Sequence, residues 1–297
     1  MSVPLAFIGT ILIWSTTPLA IKWSSEGPGF IFAVSLRMVI GTLGCLLVLM
    51  LVRGKLHLHR RALQSYLAAG LGIFGAMSCV YWGAQFIPSG LVSVIFGLTP
   101  LITGVMATLW LKEQALTPSK LLGLASSFLG LVLIFGEGVG TSLEFMLGML
   151  AVLMATILHS ASTVWVKKLG ADLPAITITS GGLLVALPLY LLSWAVQDGT
   201  WPAAIPDKAL WSIVYLGLFG SVMGFILFYY VLRHVQASRV GLIPLVSPVL
   251  ALMLGLLLNQ ERIPSVVWAG SGLVLLGMAV YQWGALLWRR RLAAQQD

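Results

Sequence analysis

The sequence predicts an all-α integral membrane protein, with ten transmembrane helices arranged as two inverted five-helix repeats. Three observations predict it. First, the 297 residues are 59% hydrophobic and only 9% charged, with a mean hydropathy of +1.00, whereas about 25% of a soluble chain is charged. Second, apolar runs of the length a bilayer core requires, about 20 residues, recur ten times, separated by connections of no more than about a dozen residues. Third, the middle of the chain returns at an offset of 148 residues: Tyr81 falls on Tyr229, Thr99 on Ser247, Pro100 on Pro248 and Glu113 on Glu261. Six identities in thirty-three positions are weak support in apolar sequence, but a glutamate match weighs more in a chain with only five glutamates.

The runs lie at approximately 4–23, 30–52, 63–86, 89–111, 119–136, 146–166, 174–196, 210–232, 238–258 and 265–288. Basic residues set their orientation, because Lys and Arg concentrate on the cytoplasmic side. With a cytoplasmic N-terminus, thirteen basic residues lie inside and three outside (Lys22, Lys208 and Arg262), while Arg37 lies within a span. Both termini are therefore expected in the cytoplasm, in a chain embedded in the cytoplasmic (inner) membrane. Topology accounts for the net charge of +8 better than nucleic-acid binding does. Five spans per half is an odd number, so residues 141–297 enter from the side opposite to residues 1–140. That arrangement permits alternating access through two near-equivalent conformations. Further echoes support it: Trp14-Ser15 and Lys22 fall on His159-Ser160 and Lys167 at an offset of 145, and Gly123 and Gly130 fall on Gly270 and Gly277 at 147.

The fifth and tenth runs each begin just after a glutamate, with a proline near the first turn, in Thr117-Pro118 and Ile263-Pro264. Thr117 suits an N-cap and Pro118 the first helical position. Gly123, Ser126, Ser127 and Gly130 lie at close helical spacing, where small residues let helices approach. These two helices are expected to be packing elements at the edge, or the face of a homodimer. No cleavable signal is evident, since the N-terminus lacks a basic segment. Cys45 and Cys79 sit inside apolar runs and read as small buried hydrophobes, with no disulfide framework and no metal site.

Candidate site residues come from interruptions of the apolar pattern. A proline inside a helix leaves the carbonyl four residues earlier without its donor, here on Phe96. Hydroxyl-proline pairs at corresponding points of two halves, Thr99-Pro100 and Ser247-Pro248, point to a binding site built from interrupted helices. The alternative is an ordinary kink whose carbonyl is satisfied by neighbours. Arg37 lies about seven residues into the second run, roughly 10 Å deep by helical rise. It either attracts a substrate carboxylate or phosphate, or is structural, capping broken-helix carbonyls or snorkelling outward. His159 is either a proton carrier or a hydrogen-bonded packing residue. Lys22 and Lys167 read as anchors at the interface. Trp14 lies too deep to belong to an interfacial belt. With Tyr81, Trp82, Phe225, Phe228, Tyr229 and Tyr230 it would line a cavity for an amphipathic solute, unless these rings are core or lipid-facing. Every acid lies outside the spans or at their ends. No catalytic constellation is present, so no enzyme and no cofactor is expected, and Glu113 and Glu261 are expected to serve gating or structure.

The chain resembles the drug/metabolite transporter superfamily, in its ten-helix EamA-type family with two repeats. The resemblance rests on Trp14-Ser15, Lys22, Arg37, Thr99-Pro100, Leu111-Lys112-Glu113, Gly123 and Gly130, then on Ser247-Pro248, Glu261, Gly270 and Gly277. It implies a basket-like bundle whose central cavity is formed by helices from both halves, with the fifth and tenth in support. It also implies export or uptake of amino acids, metabolites or toxic organic compounds. One departure is internal: the seventh helix has no counterpart of Arg37, because Thr177 to Leu183 are uncharged. The expected function is secondary transport of a small organic metabolite, foremost export of amino acids or related compounds. Import, or a channel or non-transporting sensor, are the alternatives.

Overall fold

The computed structural model of the chain describes residues 2–112, 117–136, 142–236, 243–261 and 264–293. Every regular element among them is helical. In chain order these are α1 (Val3–Ser25), α2 (Phe30–Leu51), α3 (Arg60–Gly83), α4 (Ser89–Phe96), α5 (Thr99–Leu111), α6 (Pro118–Gly136), α7 (Leu143–Leu169), α8 (Ala175–Gln197) and α9 (Asp207–Tyr215), followed by a π-helical segment (Leu216–Met223), α10 (Gly224–His234), α11 (Ile243–Asn259) and α12 (Ser265–Ala293). Seven stretches among the described residues are long and apolar enough to cross a membrane: Val3–Ser25, Phe30–Leu51, Arg60–Gly83, Ser89–Leu111, Leu143–Leu169, Ala175–Gln197 and Asp207–His234. Three shorter apolar helices, Pro118–Ile134, Ser247–Asn259 and Ser265–Tyr281, correspond to the fifth, ninth and tenth runs. The chain is a multi-pass membrane protein.

Local chemistry sets the helix ends. Prolines occupy the first turn of α1 and α5 and open α6, where the missing N–H needs no helical partner. Ser142 caps α7 by accepting a bond from the Phe145 N–H at 3.2 Å, and His59 caps α3 through the Ala62 N–H at 3.3 Å. Gly170 ends α7 in the left-handed region at φ 54°. Outward-facing leucines, such as Leu5, Leu12, Leu43, Leu129 and Leu192, stay exposed because the bilayer supplies the solvent they suit.

Packing puts one helix group at the centre. α3 lies against α7 and α8, α2 against α8 and the π segment, α1 against α10 and α11, and α4 against α11. Buried hydroxyls tie the group together: the Tyr190 hydroxyl in α8 donates to the Ile73 and Phe74 carbonyls of α3, both at 3.0 Å, and the Ser35 hydroxyl in α2 donates to the Tyr190 carbonyl at 3.1 Å. α6 and α12 form a separate tight pair. A Cβ on Gly123 would fall 2.4 Å from the Gly277 carbonyl oxygen, so glycine is required there. The Ser126 and Ser127 hydroxyls donate to the Leu273 and Val274 carbonyls, each at 3.1 Å. The small-residue stripe of the fifth run is therefore engaged within the chain, as in close helix pairs in lipid.

Candidate functional site

The two hydroxyl-proline positions differ in structure. At the first, the helix breaks: α4 stops at Phe96, Gly97 and Leu98 form a tight turn, and α5 restarts at Thr99. The carbonyl freed by Pro100 belongs to Phe96, and the Thr99 hydroxyl donates to it. At the second, α11 runs through Pro248 without interruption, and the Ser247 hydroxyl donates to the Ile243 carbonyl at 3.3 Å. Thr99, Pro100, Ser247 and Pro248 are all buried.

One narrow internal cavity, about 70 Å³, lies beside these positions. That is room for several waters and too little for a metabolite unless side chains part. Its walls come from both halves of the chain. α1 gives Trp14, Thr17, Pro18 and Ile21; α2 gives Arg37; α3 gives Met77 and Val80; α4 gives Val92, Ser93 and Phe96. The second half contributes His159 from α7, Phe225 from α10 and Ser247 from α11. The two hydroxyl-proline positions thus reach the cavity through Phe96 in one half and Ser247 in the other.

Arg37 is the charged group of this cavity, with 1% of its surface exposed. Its neighbours are neutral. Nε donates to the Ser221 hydroxyl at 3.0 Å, and Nη1 lies 3.5 Å from the Tyr81 hydroxyl and 3.8 Å from the Met77 sulfur. The Tyr81 ring centroid is 5.8 Å from Cζ, close enough for a cation–π contact. The π-helical segment makes this arrangement possible. Its wider turn carries Ser221 toward α2, and Gly220 leaves space beside the guanidinium, since a Cβ there would sit 3.1 Å from Nη2. Single π turns inside helices are frequent at functional sites.

Opposite Arg37 stands an aromatic cluster. Trp14 packs edge-on against His159 at 5.7 Å and lies 5.1 Å from Phe228, while His159 is 5.2 Å from Phe228 and 6.2 Å from Phe96. No hydrogen bond joins the His159 ring to another described residue. Trp14 and His159, matched in sequence at an offset of 145, thus meet in space.

The other expected site residues lie elsewhere. Tyr81 touches Arg37 but is fully buried behind the wall. Trp82 packs on Phe86 at 4.9 Å, and Tyr230 packs on His234 at 4.3 Å. Tyr229 borders a separate crevice with Lys167, Asp172 and Arg233. Glu261 is buried and receives bonds from the Ser89 N–H at 3.0 Å, the Ser89 hydroxyl at 3.0 Å and the Asn259 amide at 2.9 Å, with Lys22 at 3.8 Å. It caps the N-terminus of α4, where the helix dipole favours a negative charge. Trp23 joins the cluster by donating to Asn259 at 2.8 Å. Glu113 lies outside the described residues. Ser221, Met77 and Ser93 belong to the site although nothing in the sequence singles them out, while Phe225, one of the aromatics expected to line a cavity, does line it. The glycines at 217, 220 and 224 were the available sign that this stretch is unusual.

Comparison with known proteins agrees with this architecture. The EamA-like transporter family matches residues 1–136 and again residues 146–282. An uncharacterized transporter of Archaeoglobus fulgidus is 31% identical over 91% of this chain and 95% of its own. YoaV, an uncharacterized transporter of Bacillus subtilis, is 29% identical over 94% of this chain and 96% of its own. A solved crystal structure superposes with a TM-score of 0.72 at 20% identity, covering 95% of this chain and 97% of that one, a likeness of fold. With the family matched in both halves of an all-helical membrane chain, this protein belongs to the EamA-like transporter family, within the drug/metabolite transporter superfamily.

Proposed function

We propose that the chain is a secondary transporter of the cytoplasmic membrane that exports an amino acid or a related small organic compound by alternating access. In this reading residues 1–140 and 141–297 are two inverted repeats, and both termini lie in the cytoplasm. The observation that carries it is a cavity walled by α1 to α4 from one half and α7, α10 and α11 from the other. A site between two halves can be exposed to either side by rocking one half against the other. The chain has no phosphate-binding loop, so the driving force is a solute or ion gradient. A homodimer belongs to the same proposal, formed through the outward faces of α6 and α12, where Leu122, Phe128, Leu129 and Leu276 are exposed.

The test is solute counterflow in proteoliposomes. Vesicles loaded with unlabelled amino acids should accumulate the labelled counterpart transiently, with saturation. Discrete single-channel currents in planar bilayers, with no counterflow, would make the protein a channel instead. Right-side-out and inverted vesicles then give the preferred direction.

A further inference from the structure

Arg37 carries a full charge in a nearly sealed, largely apolar cavity, and its described partners are a serine hydroxyl, a tyrosine hydroxyl and a thioether. Burying a guanidinium among neutral groups is costly unless a counter-charge arrives. The described residues lining the cavity include no aspartate and no glutamate. The acid buried among the described residues, Glu261, is occupied with Ser89, Asn259 and Lys22. The charge of the described lining is therefore one positive, and one negative group on the ligand brings it to zero. A zwitterion would leave it positive and would add an ammonium with no anion to meet it. Among the described lining residues, no acid is present to meet that ammonium.

Geometry narrows the ligand further. Ser221 holds Nε at 3.0 Å while Tyr81 lies 3.5 Å from Nη1, and the Nη1–Nη2 edge has the fork geometry that pairs with a carboxylate through two parallel bonds. Across the cavity, Trp14, Phe96 and Phe225 supply flat apolar walls, and the His159 ring nitrogens have no hydrogen-bond partner among the described residues. We propose that this cavity is built for organic monoanions: a carboxylate on Arg37, a flat apolar body between Trp14, Phe96 and Phe225, a hydrogen bond to His159, and no subsite for an ammonium. The proposal rests on the transporter reading and names the substrate class within it. Within that reading it narrows the substrate from amino acids to related monocarboxylates, and an amino acid binds through its carboxylate alone.

The experiment uses the purified full-length protein in detergent, with benzoate, 3-phenylpropionate and indole-3-acetate as probes, beside their amides, 2-phenylethylamine and L-phenylalanine. At least one carboxylate should raise Tm, because a ligand stabilises the state that binds it. Its amide and the amine should not, and L-phenylalanine should bind no tighter than 3-phenylpropionate. Arg37→Gln should weaken the carboxylate at least tenfold, and Arg37→Lys should recover only part, since an ammonium cannot fork. If Arg37→Gln fails to fold, Ser221→Ala serves, which keeps the charge but frees its orientation and should weaken the carboxylate several-fold. No carboxylate-dependent shift anywhere in the panel, equal shifts with an amide or the amine, or carboxylate binding unchanged in every variant that folds would overturn the proposal. Counterflow separates the two ideas. Carboxylate binding without counterflow above protein-free liposomes leaves the anion site standing and removes the transporter. Counterflow of neutral or cationic solutes without carboxylate dependence does the reverse.

Discussion

Glu261 is a buried carboxylate whose partners all belong to the scaffold around the start of α4. Its oxygens are taken up by the Ser89 backbone and hydroxyl, by Asn259 and by the nearby Lys22, whose ammonium also donates to the Ile87 carbonyl at 3.3 Å. Removing the acceptor leaves the buried first turn of α4 without its cap. Hydrogen bonds to a charged group contribute about 1.5–3 kcal/mol. Glu261→Ala should therefore lower Tm in detergent by a corresponding margin, and Glu261→Gln, which keeps one acceptor, should lose less. Substrate exchange by Glu261→Gln should survive along with any proton-driven accumulation. Exchange that persists while accumulation disappears would make Glu261 the proton carrier after all. At this scale the sequence was legible where a residue breaks its surroundings. Arg37 stands out as a charge in an apolar run, and Trp14 as an aromatic too deep for the interface. Ser221 and Met77 do not stand out, because only the register between α2, α3 and the π segment brings them to Arg37.

The broken helix α4–α5 carries a device that sequence suggested and structure resolves. Pro100 deprives the Phe96 carbonyl of its helical donor, and the Thr99 hydroxyl replaces it. The two residues act as a pair, so their substitutions should not add. Thr99→Val alone leaves a buried carbonyl unpaired, at about 1–3 kcal/mol. Pro100→Ala alone restores the N–H and straightens the break, which should slow transport more than it reduces expression. The double substitution gives the carbonyl its ordinary donor again, and should recover most of the stability lost by Thr99→Val while transport stays slow. Additive losses in Tm would show that the threonine hydroxyl is not the replacement. Pro248→Ala should also slow transport, but without a comparable rescue, because α11 is continuous there. The matching prolines made the two positions look equivalent. Their difference depends on neighbours, since Gly97 and Leu98 fold into a turn. A second element-level test concerns the α6–α12 pair. Gly123→Val would drive its side chain into the Gly277 carbonyl, and overpacking of this kind costs about 1–3 kcal/mol. Tm should fall accordingly, whereas Gly272→Ala, in open space, should change little.

For the whole molecule, the sharpest sign of a repeated plan is a pair of lysines. Lys22 ends α1 and donates to the Ile87 carbonyl at 3.3 Å; Lys167, near the end of α7, donates to the Leu232 carbonyl at 2.7 Å. Each reaches a carbonyl 65 residues onward. The same contact made twice, from the last turn of the first helix of each half, is what a duplicated unit produces. Charge counting along the sequence places these two ends on opposite sides of the membrane, and this can be measured. Gln85 and Arg233 are exposed residues 148 positions apart, beside the two lysine contacts. In a background lacking Cys45 and Cys79, Gln85→Cys should react with an impermeant maleimide from the outside of intact cells. Arg233→Cys should react only in inverted vesicles. Substrate should shift both rates, since closing one end of the cavity opens the other in an inverted repeat. Labelling of both cysteines from the same side would rule out the inverted plan, and with it the idea that one half moves against the other to carry solute across.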